Sequence, residues 1–196
     1  MNNRENIDKE KQLANQLETV RNVISWLREE GLEPQEITHL RKDTRYYGVV
    51  IANESEKGEQ IERPRRKAFH ILFPIERLDS LTISQIIIFD LQTQKAYTSL
   101  AAKTNGIFEQ DRFYSELKLS LLQMNVHFII KKGARELQSL EVSRVLFFDG
   151  LTKHVLFNTI NEIHNSIEIA KTKTGLLRDS ISSSEATVVD ENGNMK

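Results

Sequence analysis

Apolar residues recur along this chain with two periods, and the switches between them give an order of elements. Leu13, Leu17, Val20, Ile24 and Leu27 fall at spacings of four, three, four and three, which places them in one stripe of an α-helix. Gly31 follows Glu29 and Glu30 where a left-handed cap would end that helix, and Pro34 obstructs a restart. A stripe sustained over only about two heptads covers a sheet more readily than it zips a coiled coil. Beyond it the period drops to two. Gln35 to Leu40 is a weak strand, Arg41 to Arg45 a turn, and Tyr46 to Ala52 a stronger strand built on Tyr46, Tyr47, Val49, Val50 and Ile51. Asn53 to Arg66, charged and holding Gly58 and Pro64, is an exposed hairpin connection. Lys67 to Phe73 alternates Phe69, Ile71 and Phe73 against Ala68, His70 and Leu72, and Pro74 closes it.

Two segments repeat one pattern. Ser80-Leu-Thr-Ile-Ser-Gln-Ile-Ile-Ile-Phe-Asp90 aligns without gaps on Ser139-Leu-Glu-Val-Ser-Arg-Val-Leu-Phe-Phe-Asp149. Each reads as a buried strand that hands over to a helix through an acidic N-cap, because a carboxylate there accepts from the unbonded amides of the first turn. Between them lie a short helix around Tyr97, Leu100 and Ala101, a break near Asn105 and Gly106, and a helix capped by Asp111. Tyr114, Leu117, Leu121 and Met124 form the buried face of that helix, Asn125 is its left-handed exit, and Val126 to Ile130 is a strand. After Asp149, Leu156, Ile160, Ile163, Ile167 and Ala170 define a last helix ending near Gly175. The order is a helix, three to four strands, one or two helices, two strands and a helix. Short connections between strands give an α+β fold, an antiparallel sheet with helices on one face.

The ends are polar. Asn2 to Gln12 have Ile7 as their one large apolar residue, so residues 1–12 read as a flexible N-terminal segment, residues 13–175 as a single α+β domain, and residues 176–196, rich in serine and then in acidic residues, as a disordered tail.

Composition narrows the function classes. Twenty-seven basic residues meet 28 acidic ones for a formal charge of -1, so the chain is not a globally basic nucleic-acid binder. Cysteine is absent, which removes disulfides, thiolate metal sites and cysteine nucleophiles. No apolar run reaches the roughly 20 residues that span a bilayer, and the first twelve residues are unlike a secretory signal, so the expected location is the cytoplasm with no membrane partner.

Catalytic and cofactor chemistry finds little purchase. His39, His70, His127, His154 and His164 are ten or more residues apart, without zinc-ligand spacing. The eight glycines are isolated, so no phosphate-binding loop is present, and there is no Gly-x-Ser-x-Gly elbow. Asp90 and Asp149 could be paired for acid-base work, but helix capping explains both. Arg63, Arg65, Arg66 and Lys67 form the dense basic cluster, a candidate phosphate contact; Glu54, Glu56, Glu59 and Glu62 nearly neutralise it, and no aromatic residue is interleaved.

The two matched strands carry a stronger signal. Leu81, Ile83, Ile87 and Phe89 share one face, as do Leu140, Val142, Leu146 and Phe148, and this is the core side. The opposite face starts polar and turns apolar at Ile86, Ile88, Val145 and Phe147. With helices on one side of the sheet, these four residues are a candidate protein interface.

Phe148-Asp149-Gly150-Leu151-Thr152-Lys153, with Phe157, Thr159 and Ile160 just downstream, resembles an uncharacterised family found mainly in archaea. The similarity takes in the first helix up to Gly31 and covers roughly Val20 to Ala170, with the Asp-Gly-Leu-Thr-Lys stretch as its distinctive part. The family looks like a member of the type III secretion chaperone-like fold, and that resemblance implies a small homodimeric binding module without catalytic activity. The charged segment from Asn53 to Arg66 and the tail beyond Gly175 depart from the pattern. The expectation is a non-catalytic protein-binding or chaperone-like module without a cofactor, whose partners are a second copy and an unidentified protein or peptide. The alternative is a nucleic-acid-associated accessory protein using Arg63 to Lys67.

Overall fold

The computed structural model describes residues 2–36, 44–51, 67–74, 77–101, 106–133 and 136–186. Its elements in chain order are α1 (Asn2–Glu29), β1 (Glu33–Glu36), β2 (Thr44–Ile51), β3 (Lys67–Pro74), β4 (Ser80–Ile88), α2 (Leu91–Ala101), α3 (Gly106–Leu122), β5 (His127–Lys132), β6 (Leu137–Phe147) and α4 (Lys153–Ala186), with one 3-10 turn at Phe148–Gly150. They divide between two compact units. The first is Met1–Gln85 with Ser143–Asn161, and the second is Ile86–Val142 with Glu162–Lys196.

In the first unit the strand order is β1-β2-β3-β4-β6, and in the second it is β4-β6-β5, with β4 and β6 contributing to both. The pairs β1–β2, β2–β3 and β3–β4 are antiparallel, with Pro34 opposite Val49, His70 between Gly48 and Ser84, and Ile71 opposite Ile83. Pro34 sits in β1, at the end of the strand order, the place in a sheet where proline is tolerated. The core of the first unit gathers Val20, Val23 and Leu27 of α1, Phe69, Ile71 and Phe73 of β3, Leu81 and Ile83 of β4, and Leu156 of α4. In the second unit Tyr97, Leu100, Leu117, Leu121, Leu140, Val142, Ile163 and Ile167 are buried. The α+β class and the antiparallel sheet expected from the sequence are those of the structure.

Helix exits follow the expected backbone. Gly31 has φ of +73°, and the N–H of Leu32 donates to Leu27 O at 2.9 Å while that of Gly31 reaches Arg28 O at 3.0 Å, so carbonyls of the last turn are satisfied. Asn125 leaves α3 at φ of 51°.

Several expectations need correction. The buried line of α1 is Gln16, Val20, Val23 and Leu27, whereas Leu13 is exposed and Leu17 and Ile24 are half-buried. Gln16 turns the helix this way by donating its Nε2 hydrogen to Pro74 O at 3.0 Å, a bond that an apolar-periodicity count cannot register. α1 also takes in residues 2–12. α3 begins at Gly106, five residues before Asp111, so Asp111 is not its cap. α4 runs through Gly175 to Ala186, because Leu177 and Ile181 extend the stripe of Ile163, Ile167, Ala170 and Thr174 and are buried. Burying two such side chains stabilises by roughly 1.5–3 kcal/mol each, more than the roughly 1 kcal/mol that an interior helical glycine costs. Of the segment read as a tail, residues 187–196 lie outside the described residues, as does the charged connection from Asn53 to Arg66. Of the turn read at Arg41 to Arg45, residues 41–43 also lie outside them, and Thr44 and Arg45 instead open β2.

Candidate protein interface

The two matched segments end differently. At the end of β4, Asp90 Oδ1 accepts the Thr93 N–H at 2.7 Å and Asp90 O accepts that of Gln94 at 3.0 Å, the N-cap expected for α2. Its Oδ2 takes the Arg178 guanidinium of α4 at 3.1 Å. At the end of β6, Asp149 instead lies exposed in the 3-10 turn, and the cap of α4 falls to Thr152, whose Oγ1 accepts the Val155 N–H at 3.2 Å. The intervening Gly150-Leu151 moves the helix start three residues on, so the capping role expected of Asp149 is corrected to Thr152. Asp90 spends its carboxylate on an amide and a guanidinium, which leaves the imagined acid-base pair without support.

Lys153 opens α4, where its charge opposes the helix dipole, and Glu29 and Glu30 at the end of α1 hold it at 2.9 and 2.8 Å. The hydrogen bond from Lys153 draws the Glu29 carboxyl below its ordinary value, while those to Glu30 and Glu29 hold the Lys153 ammonium above its own. Burial, aided by Asp111, pushes the Tyr97 phenol up. Among the described residues no group of three or more potential metal ligands is found. His154 shares a 2.9 Å hydrogen bond with Asn158, and His164 lies 3.9 Å from Glu168, positions of ordinary helical histidines. No helix among the described residues is long and apolar enough to cross a membrane.

Of the four apolar residues singled out on the far sheet face, Ile86 and Ile88 belong to the second unit and are 46% and 81% exposed. Val145 and Phe147 belong to the first, Val145 half-buried and Phe147 55% exposed. The strand neighbours that face the other way, Leu81, Ile83, Leu140, Val142 and Leu146, are buried. Arg63, Arg65 and Arg66 lie outside the described residues, and Lys67 opens β3.

Sequence reasoning missed two features of the second unit. One is an open groove of about 750 Å³ between α2 and the end of α4, lined by Leu91, Lys95, Ala96, Glu136, Arg178 and Ile181 among others. It depends on the extension of α4 past Gly175. The other is a basic cluster around Tyr114, with the Lys118 ammonium 4.7 Å and the Lys132 ammonium 4.3 Å from its ring centroid. Tyr114 and Lys118 are four apart on one helix and could have been paired from sequence, but Lys132 arrives from β5.

The family described as an uncharacterized conserved protein, DUF2299, matches residues 19–173. No curated protein matches the chain. The crystal structure of an uncharacterized protein from Methanothermobacter thermautotrophicus is similar at a TM-score of 0.60 and 20% identity, covering 84% of this chain and 98% of that one, and shares the fold. YbjN, a proposed transcription regulator from E. coli, is similar at a TM-score of 0.39 and 13% identity over 82% of this chain and 92% of that one.

Proposed function

The chain belongs to the DUF2299 family of uncharacterized conserved proteins, and from that premise we propose that it is a non-catalytic, cytoplasmic protein-binding module that self-associates as a homodimer through the far side of its sheet. The observation that carries this reading is that large apolar side chains in regular strands stand in solvent: Ile88 on β4 at 81% and Phe147 on β6 at 55%. Leaving such residues exposed on a pleated face is unfavourable in a protein that works alone, and apolar pairing of sheet faces relieves it. The order of helix, four strands, two helices, two strands and helix agrees with that of the type III secretion chaperone-like fold, whose members work as small homodimeric binding modules, and this supports the reading.

The test is the molar mass by light scattering coupled to size exclusion, over a range of concentration and salt. The wild type runs as a dimer insensitive to salt, and Ile88→Asp and Phe147→Asp, each probing one unit, yield folded monomer. A monomeric wild type, or two variants of unchanged mass, would remove the proposed interface.

A further inference from the structure

The cluster around Tyr114 has the makings of a second recognition surface, distinct from the sheet face. Tyr114, Lys118 and Leu122 follow one another at four-residue spacing on α3, so they form one line along the helix, with Leu119 beside it. Lys132, the last residue of β5, brings its ammonium to the same ring as Lys118. Energetically significant cation–π pairs occur about once per 70–80 residues, so two on one ring concentrate positive charge at a single point. Neither lysine has an ion pair among the described residues. The nearest acidic residue along the helix, Glu116, is held by Arg112 at 3.0 Å. Both lysines are exposed, and Leu119 and Leu122 beside them are 61% and 65% exposed.

We propose that Tyr114, Lys118, Leu119, Leu122 and Lys132 bind an acidic, amphipathic peptide segment of another protein, whose carboxylates meet the two ammonium groups while its apolar side chains cover the two leucines. The choice of occupant follows from the chemistry exposed. Two fixed positive charges call for an anionic partner, and the ring holds the ammonium groups in place before that partner arrives, which lowers the entropy lost on binding. The one aromatic ring of the cluster, Tyr114, already carries the two ammonium groups, and the apolar groups beside it are aliphatic, so they suit a helical or extended peptide with aliphatic anchors better than stacked nucleic-acid bases. The inference rests on the protein-binding part of the proposed function and is independent of its homodimer part.

The probe is a fluorescein-labelled synthetic peptide with leucine on one helical face and glutamate on the other, titrated into the full-length protein and followed by anisotropy. Its controls are the same peptide with lysine for glutamate, a labelled (dT)20 oligonucleotide, and vesicles containing phosphatidylglycerol. The acidic peptide binds and the lysine twin does not. Binding weakens between about 50 and about 300 mM salt without vanishing, because the apolar contacts are not screened. The charge reversal Lys118→Glu with Lys132→Glu lowers affinity roughly tenfold or more. Leu122→Ser lowers it less, and Tyr114→Phe, which keeps the ring, leaves it unchanged. Absence of binding, equal binding of the two peptides, or full affinity in the charge-reversed variant would overturn the proposal. So would tighter binding of the oligonucleotide or the vesicles, which would reassign the cluster to phosphate groups. Ile88→Asp serves as the link to the dimer reading: it changes the molar mass and leaves peptide affinity as it was, so failure of one proposal is distinguishable from failure of the other.

Discussion

Ser80 to Asp90 and Ser139 to Asp149 share one pattern of apolar and polar positions, with Ser, Leu, Ser, Phe and Asp at matched places, and each belongs to a strand that leads toward a helix, yet the two handovers are built by different atoms. In the first, Asp90 caps α2 directly and its second oxygen takes Arg178. In the second, Asp149 is passed over, a 3-10 turn intervenes, and Thr152 caps α4 while Lys153 is held by Glu29 and Glu30. The strand halves agree because alternation of apolar residues depends only on the pleat, which is the same everywhere. The handovers differ because a cap depends on where the next helix starts. After Asp90 the chain continues as Leu91-Gln92 and α2 begins at once, whereas after Asp149 the matching pair is Gly150-Leu151 and α4 begins only at Lys153. Ion pairs follow suit with reversed polarity: the cap carboxylate recruits a distant arginine in one case, and the first helical lysine recruits two distant carboxylates in the other.

The shared half of the comparison breaks with the largest effect. Leu81→Ala and Leu140→Ala, both fully buried in equivalent core positions, each lower stability by about 2–5 kcal/mol in urea unfolding. A value below about 1 kcal/mol at either site would mean that the two strands are not equivalent in the core. The caps come next. Asp90→Ala and Thr152→Ala each cost about 0.5–2 kcal/mol, whereas Asp149→Ala stays within about 0.5 kcal/mol. Equal losses for the two aspartates would erase the distinction between the handovers.

Smaller still is the contribution of Arg178, since an exposed ion pair is worth roughly 0–1 kcal/mol. In a double-mutant cycle with Asp90→Asn, Arg178→Gln therefore shows a coupling at or below that range, far under the effect of the cap itself.

The smallest effect separates the two polarities by pH. The lowered Glu29 carboxyl contributes stability above its ordinary value of 4.5 and loses it as pH falls through the lowered folded value. The raised Lys153 ammonium contributes below 10.5 and loses it as pH rises through its raised folded value. Thermal melting of Lys153→Gln therefore matches the wild type most closely at the acid and alkaline extremes and differs most between them. A difference independent of pH would assign the role of Lys153 to packing.

How far the sequence could be read depended on the range of the interaction. Local periodicity found the order of the described strands and helices, but it left the start of α1 and the end of α4 about eleven residues short. Its weak strand at Gln35 to Leu40 overlaps β1 only at Gln35 and Glu36, and residues 37–40 lie outside the described residues. Left-handed exits at Gly31 and Asn125 were legible because backbone sterics act on the residue itself. The line of α1 was turned by Gln16 reaching Pro74, fifty-eight residues away. α4 outran its expected end because Leu177 and Ile181 found a core to enter, and a mostly polar segment with a few apolar residues looks like a tail until that core is known. Alternation alone put Ile86 and Ile88 of β4, and Phe147 of β6, on the side away from the core, and all three are exposed. The cluster at Tyr114 was not legible in this way, since Lys132 joins it only through the placement of β5 against α3.

By itself, then, the sequence determined the order of strands and helices, the alternation that gives each matched strand a buried side, and, for want of cysteine, the absence of thiol and disulfide chemistry. These follow from steric preferences and from composition, properties that each short segment carries with it. The tertiary structure alone decided which aspartate caps a helix, where α4 stops, and which lysines converge on one ring. Those outcomes depend on where a second, distant segment lies, and no local pattern encodes the distance between two parts of a folded chain.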